Sequence, residues 1–230
     1  MTAAPRQLVL DLPHREALGA EDFLVSSSNA AAVEFIDRWP DWPHPALIVI
    51  GPRGSGKSHL AHVWQLRSSA ALIAADALTD ADVAGLEDNS ALVVEDIDRG
   101  CADEQALFHL INRSRESKLS VLLTSQDPPG ELAFEIPDLR SRMRALPVAE
   151  LQPPDDALLK AVLVKLFSDR QLNVEPAVVD YLSLRMERSM EEASRVVEAI
   201  DRLALAMHRK VTRPLAATAL ANLASGDDLE

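Results

Sequence analysis

Residues Gly51 to Ser58 read Gly-Pro-Arg-Gly-Ser-Gly-Lys-Ser, which is the complete G-x-x-x-x-G-K-[ST] pattern of a phosphate-binding loop. Its residue types suit one chemistry. Gly54 and Gly56 let backbone N–H groups come close to phosphate oxygens. Lys57 is placed to reach the β- and γ-phosphates, and Ser58 offers a hydroxyl to Mg²⁺. Pro52, Arg53 and Ser55 complete the loop, and His59 follows it. The flanks fit as well. Ala46–Ile50 is a short apolar run of strand character, and His59 to Trp64 continues as a helix-compatible run. A strand, a glycine-rich turn and a helix start together make an anion site.

Three further clusters could act with that loop. The run Leu92-Val93-Val94-Glu95-Asp96-Ile97-Asp98 ends an apolar strand in acids. A carboxylate there, from Glu95 or Asp96, would hold Mg²⁺ directly or through water, and its neighbour could orient an attacking water. Asp98 reads as a helix-capping or surface acid. A second strand ends in Thr124-Ser125-Gln126, a polar tip able to report on a γ-phosphate. Finally, Arg140, Arg142 and Arg144 fall within five residues. Guanidinium groups can clamp developing phosphate charge, in the same subunit or across an interface. His59 and His62 are spaced for one helix face but lack the acid of an H-E-x-x-H zinc pattern, so helix packing accounts for them. Cys101 has no histidine base indicated nearby and reads as structural.

These residues need elements to hold them. Strands are expected at Ala46–Ile50, Ala70–Ala75, Ala91–Ile97, Ser120–Thr124 and Leu146–Ala149. Helices are expected after Asn29, with Ala31, Val33, Phe35 and Ile36 at helical spacing, at Leu78–Leu86, and at Glu104–Ser114, with Ala106, Leu107, Leu110 and Ile111 on one face. Alternating strands and helices predict an α/β domain with a mostly parallel sheet flanked by helices. Pro153-Pro154 marks a boundary, beyond which helical periods take over at 157–170, 177–186, 190–209 and 213–223. The expected organisation is a tail over 1–18, an α/β nucleotide-binding domain over 19–152 and a small all-α lid over 153–230.

Composition narrows the function. A formal net charge of −13 over 230 residues argues against duplex DNA as the main partner, which demands a basic surface. The single cysteine excludes an internal disulfide and fits a reducing cytoplasm. No apolar run approaches the roughly 18 residues of a membrane span, so no membrane partner is expected. Arg6, Asp11, Arg15, Glu16 and Glu21 interrupt any signal-peptide core.

The order of these parts resembles the AAA+ module of the bacterial initiator DnaA. The resemblance rests on Gly-Lys-Ser-His-Leu, the acidic strand, a Thr-Ser-x-x-Pro-Pro turn, the Leu139-x-Ser141-Arg142 segment and the helical lid, and it runs from about Asp22 to about Leu223. Phe23 and Leu24, with Ser26 and Asn29, look like that family's entry segment beside the adenine. Gln7-Leu8-Val9-Leu10-Asp11-Leu12 looks like the Q-L-x-L-x-L sliding-clamp peptide of the DnaA-homologous regulators that inactivate DnaA. The resemblance implies ADP or ATP with Mg²⁺ as ligands. Glu95 and Asp96 would be the Walker B pair, Ser125 the first sensor with Gln126, and Arg142 an arginine finger acting in trans. The second-sensor arginine is replaced: Glu191 falls at its position, and Arg195, one turn on, is the candidate substitute. The implied function is negative regulation of replication initiation. The nucleotide-bound protein would dock through Gln7, Leu8, Leu10 and Leu12 on the polymerase sliding clamp. It would then stimulate hydrolysis of ATP bound to DnaA, with weak or no ATPase of its own. DNA would be met only through the loaded clamp. A homodimer or higher oligomer stays open. So do two rivals, an AAA+ helicase loader or transposition helper, and a P-loop kinase.

Overall fold

The structure is a computed structural model, and it describes residues 23–225; the expected clamp peptide at Gln7, Leu8, Leu10 and Leu12 lies outside them. The chain forms two compact units that divide between Pro153 and Pro154, with Leu24–Ser26 grouped with the second.

The first unit is built on a five-stranded parallel sheet in the order β2-β3-β4-β1-β5. Its strands are β1 (Ala46–Ile50), β2 (Ala71–Ala74), β3 (Ala91–Glu95), β4 (Ser120–Ser125) and β5 (Val148–Glu150). The central strands are apolar nearly throughout because helices cover both faces of a parallel sheet. Ala46, Leu47, Ile48 and Val49 of β1 and Val121, Leu122 and Leu123 of β4 are fully buried. The helices are α1 (Ala30–Asp37), α2 (Lys57–Ser68), α3 (Asp80–Ala84), α4 (Glu104–Glu116) and α5 (Pro137–Arg144). The buried face of α4 is Ala106, Leu107, Leu110 and Ile111, as its spacing predicts. On α1 the buried residues are Ala32, Val33 and Ile36, while Ala31 is exposed.

Two departures from the expected elements matter for function. β3 stops at Glu95, two residues early, because Asp96 adopts a left-handed conformation with φ 58°. That turn sends the following acids along a new path. The arginine segment, which falls in none of the expected elements, is the helix α5. Pro137 opens it, Leu139 and Met143 bury its inner face one turn apart, and Asp103 and Glu104 start the neighbouring α4. The Glu104 carboxylate accepts the backbone N–H groups of Glu135 and Ile136 at 2.9 Å, which ties the start of α5 to the start of α4.

The second unit packs α6 (Asp156–Asp169), α7 (Pro176–Ser183), α8 (Met190–Met207) and α9 (Arg213–Ser225) around one apolar core. Leu159, Leu163 and Phe167 of α6 meet Val178, Val179 and Leu182 of α7 and Val196, Val197 and Ile200 of α8 in that core. Asp155 and Ser189 cap α6 and α8 by accepting the N–H groups of Leu158 and Glu192. Among the described residues no helix is long and apolar enough to cross a membrane.

Candidate nucleotide site

All five strands run the same way, so their carboxyl ends share one edge of the sheet. The phosphate loop leaves β1 at that edge. Gly51 N–H donates to the Ser125 carbonyl at 3.3 Å, which fastens the loop to the tip of β4. Gly51 has no room for a side chain: a Cβ there would meet the Leu151 carbonyl oxygen at 2.6 Å and the Ser55 hydroxyl at 2.8 Å. Gly56 faces open space but holds φ at +100°, which an L side chain rarely adopts. It is the residue before α2, so the first amides of that helix open onto the loop.

Lys57 is buried and its Nζ donates to the carbonyls of Gly51 at 2.7 Å and Pro52 at 3.0 Å. Burial lowers its pKa from the ordinary lysine value, opposed by the carboxylates of Asp98 and Asp96 and reinforced by Arg99. Two polar atoms in this region lack hydrogen-bond partners although buried: the Ser55 hydroxyl and Glu95 Oε1. Buried polar atoms ordinarily find partners. A polyphosphate with its cation would supply them here, and the residues present fit that group. Mg²⁺ would be held by Ser58, an acid of the Glu95-Asp96 pair and phosphate oxygens, because no cluster of three or more metal-ligating side chains exists among the described residues.

The structure brings the acids and the β4 tip together. Asp96 N–H donates to Thr124 Oγ1 at 3.0 Å, and the Asp96 carboxylate pairs with Arg99 at 3.3 Å. Asp98 proves to be more than a surface acid. Its Oδ1 accepts the Gln126 backbone N–H at 2.9 Å and its Oδ2 the Gln126 side-chain amide at 3.2 Å. It thus orients the residue at the β4 tip and places negative charge near Lys57. The Ser125 hydroxyl donates to the Asp127 carbonyl at 2.6 Å and accepts its N–H at 3.1 Å, so it builds the turn that displays Gln126. Phe23 meets His59 edge-on, with ring centroids 5.0 Å apart. His59 and His62 are both exposed, His62 contacting Gln65 Oε1 at 3.1 Å, so neither packs into the core. The Cys101 thiol is held neutral by burial and donates to the Asp103 carbonyl at 3.3 Å. Arg195 sits on α8 of the second unit, exposed and paired with Glu192 at 3.2 Å, and Glu191 stands beside it.

Arg142 lies elsewhere in the first unit. Its guanidinium carbon lies over the Phe108 ring, 5.2 Å from the centroid, and it lines a cavity with His44, Arg115, Asp138 and Ser141. His44 precedes β1, Ser120 opens β4 just after Arg115, and Leu146 of the same lining precedes β5. The cavity therefore sits at the amino edge of the sheet, across the length of β1 from the phosphate loop. Five residues of strand span about 17 Å. His44 and Arg115 give no local signal in sequence, since 71 residues separate them.

A parallel sheet with a phosphate loop after one strand, acids and a polar tip on its neighbours, and a following four-helix unit defines the AAA+ class of P-loop proteins. Within that class the chain is similar to DnaA, and its helical unit to the lid of Hda. A family model described as "Hda, lid domain" matches residues 156–220. The DnaA replication initiator of Thermomicrobium roseum is 25% identical over 226 residues, covering 87% of this chain and 48% of that protein. The chain thus spans about half the length of this curated relative. Domain III of DnaA from Thermotoga maritima superposes with a TM-score of 0.70 at 18% identity, covering 87% of this chain and 94% of that one. AMPPCP-bound DnaA from Aquifex aeolicus gives 0.65 at 20% identity, covering 80% and 64%.

Proposed function

We propose that this protein is a nucleotide-bound regulator that inactivates DnaA, carrying ADP or ATP with Mg²⁺ at its own loop and acting on ATP held by DnaA. Docking through Gln7, Leu8, Leu10 and Leu12 would place it on the DNA-loaded sliding clamp. Arg142 would then stabilise charge on the transferring phosphoryl group of the partner's ATP. Such fingers accelerate phosphoryl transfer by about 10³ to 10⁵ in other systems. Nucleotide binding at the loop is supported by its geometry and by a relative that carries AMPPCP. Intrinsic hydrolysis is weak on this reading, since Glu191 replaces the nucleotide-facing arginine of the lid and Arg195, one turn on, is the candidate substitute.

The observation that carries the reading is the separation of two edges. Arg142 lies at the amino edge of the sheet and the phosphate loop at the carboxyl edge. That distance from its own loop supports a role for Arg142 on another molecule's nucleotide. The test is Arg142→Ala in an assay of DnaA-bound ATP with clamp-loaded DNA. The variant should bind nucleotide and clamp normally and lose stimulation by about 10³-fold or more. Undiminished stimulation would rule the finger out.

A further inference from the structure

The cavity beside Arg142 contains a second arginine that no motif announces. The space is about 390 Å³. Arg115 reaches it from the last turn of α4, and its Nε–H donates to His44 Nε2 at 2.8 Å. On its other side, His44 Nδ1 meets the backbone of Ala46 at both its N–H, 2.9 Å away, and its carbonyl oxygen, 3.1 Å away, which ties the ring to the start of β1. Burial lowers the His44 pKa, the hydrogen bond to Ala46 opposes that, and the Arg115 charge acts with the burial. His44 is thus rooted to the first residue of β1, and its Nε2 meets a single N–H of Arg115.

Four of the five donors of Arg115 are left for a ligand. Arg142 is similar: its guanidinium lies over the Phe108 ring, 5.2 Å from the centroid, and its N–H groups donate to no group among the described residues. Among the described residues neither arginine pairs with a carboxylate, in a chain with 36 acids and 23 lysines and arginines. Asp138 and Ser141 complete the polar lining, so two guanidinium groups face one carboxylate. A guanidinium fork matches the paired oxygens of a phosphate or a carboxylate bidentately, and a cavity whose finger candidate is Arg142 points to phosphate.

We propose that this cavity is a two-armed oxyanion site, with Arg115 held by His44 as the second arm, that receives the terminal phosphates of a nucleoside triphosphate bound to the partner. The inference rests on the reading that Arg142 acts in trans and assigns that site its second cation. Arg115 touches the transferring phosphate, and His44 is a positioning residue acting through it.

The experiment measures stimulated hydrolysis of DnaA-bound ATP on clamp-loaded DNA as a function of regulator concentration. The proteins are the full chain, Arg142→Ala, Arg115→Ala, Arg115→Lys, His44→Ala and His44→Gln, each checked by melting temperature. Arg115→Ala should lower the maximal rate by about 10²-fold, the scale of losing one charge-stabilising donor, while the half-saturating concentration stays put. Arg115→Lys should recover part of the rate. His44→Gln, which keeps an acceptor, should outperform His44→Ala. Loss in Arg142→Ala with a full rate in Arg115→Ala overturns the second arm and leaves the finger standing. A raised half-saturating concentration with an unchanged maximal rate in Arg115→Ala also overturns it, since the residue would then only dock. A full rate in Arg142→Ala removes the reading beneath both.

Discussion

Lys57 carries its charge under cover, and the fold meets that cost only in part. Two backbone carbonyls and the nearby Asp98 and Asp96 offset the burial without restoring the ordinary pKa. The sign follows from linkage. A lysine whose folded pKa is below its unfolded value binds its proton less tightly when folded. Stability therefore rises with pH between the folded pKa and 10.5, and at neutral pH the charge opposes folding. Lys57→Met keeps the stem and removes the charge. Calorimetric titration should show ADP affinity reduced by about 10–100-fold, the worth of one charge-assisted hydrogen bond. The free variant should melt no lower than the parent by more than a few degrees, and its stability should lose the rise with pH below 10.5. Unchanged ADP affinity in a normally melting variant would sink the loop assignment. At this scale the loop was legible because its residues are contiguous and each is defined by a local need. Asp98 was not, because its role depends on a partner 28 residues away and on the left-handed turn at Asp96.

The element that matters most after the loop is α5. Its sequence carries one proline, two apolar residues and four charges in eight positions, so no apolar stripe betrays a helix. The signals that remained were Pro137 at the first turn and the Leu139–Met143 pair one turn apart. By contrast α4 presents four apolar residues on one face, and the strands β1 and β4 read directly as continuous apolar runs. The angle at which α5 offers Arg142 depends on Glu104, whose carboxylate takes two N–H groups just before the helix. Glu104→Ala should lower stability by about 1–2 kcal/mol, or roughly 2–8 °C in melting temperature. It should reduce stimulation of DnaA-bound ATP hydrolysis several-fold while leaving ADP affinity untouched. A variant that melts early yet stimulates fully would show that α5 needs no such anchor.

At the scale of the whole molecule, the change from strand to helix periods at Pro153-Pro154 was legible, since both units follow from local hydrophobic spacing. What sequence could not supply was which edge of the sheet each cluster would occupy, because that is a property of parallel topology. The peptide at Gln7 to Leu12 invites its own test at this scale. Replacing Gln7, Leu10 and Leu12 together by alanine should abolish binding to the sliding clamp. Each buried leucine contributes about 1.5–3 kcal/mol to such an anchor, and the melting temperature should stay within a degree or so. Early melting with intact clamp binding would make the segment structural. The opposed edges have one more consequence. A contact that joins an arginine edge to a phosphate-loop edge unites two different faces, so it lacks the reciprocity of a twofold pair. A copy that docks by its arginines leaves its own loop edge facing outward. The contact therefore has a direction, and a row of such modules has two unlike ends, only one of which this arginine edge can meet.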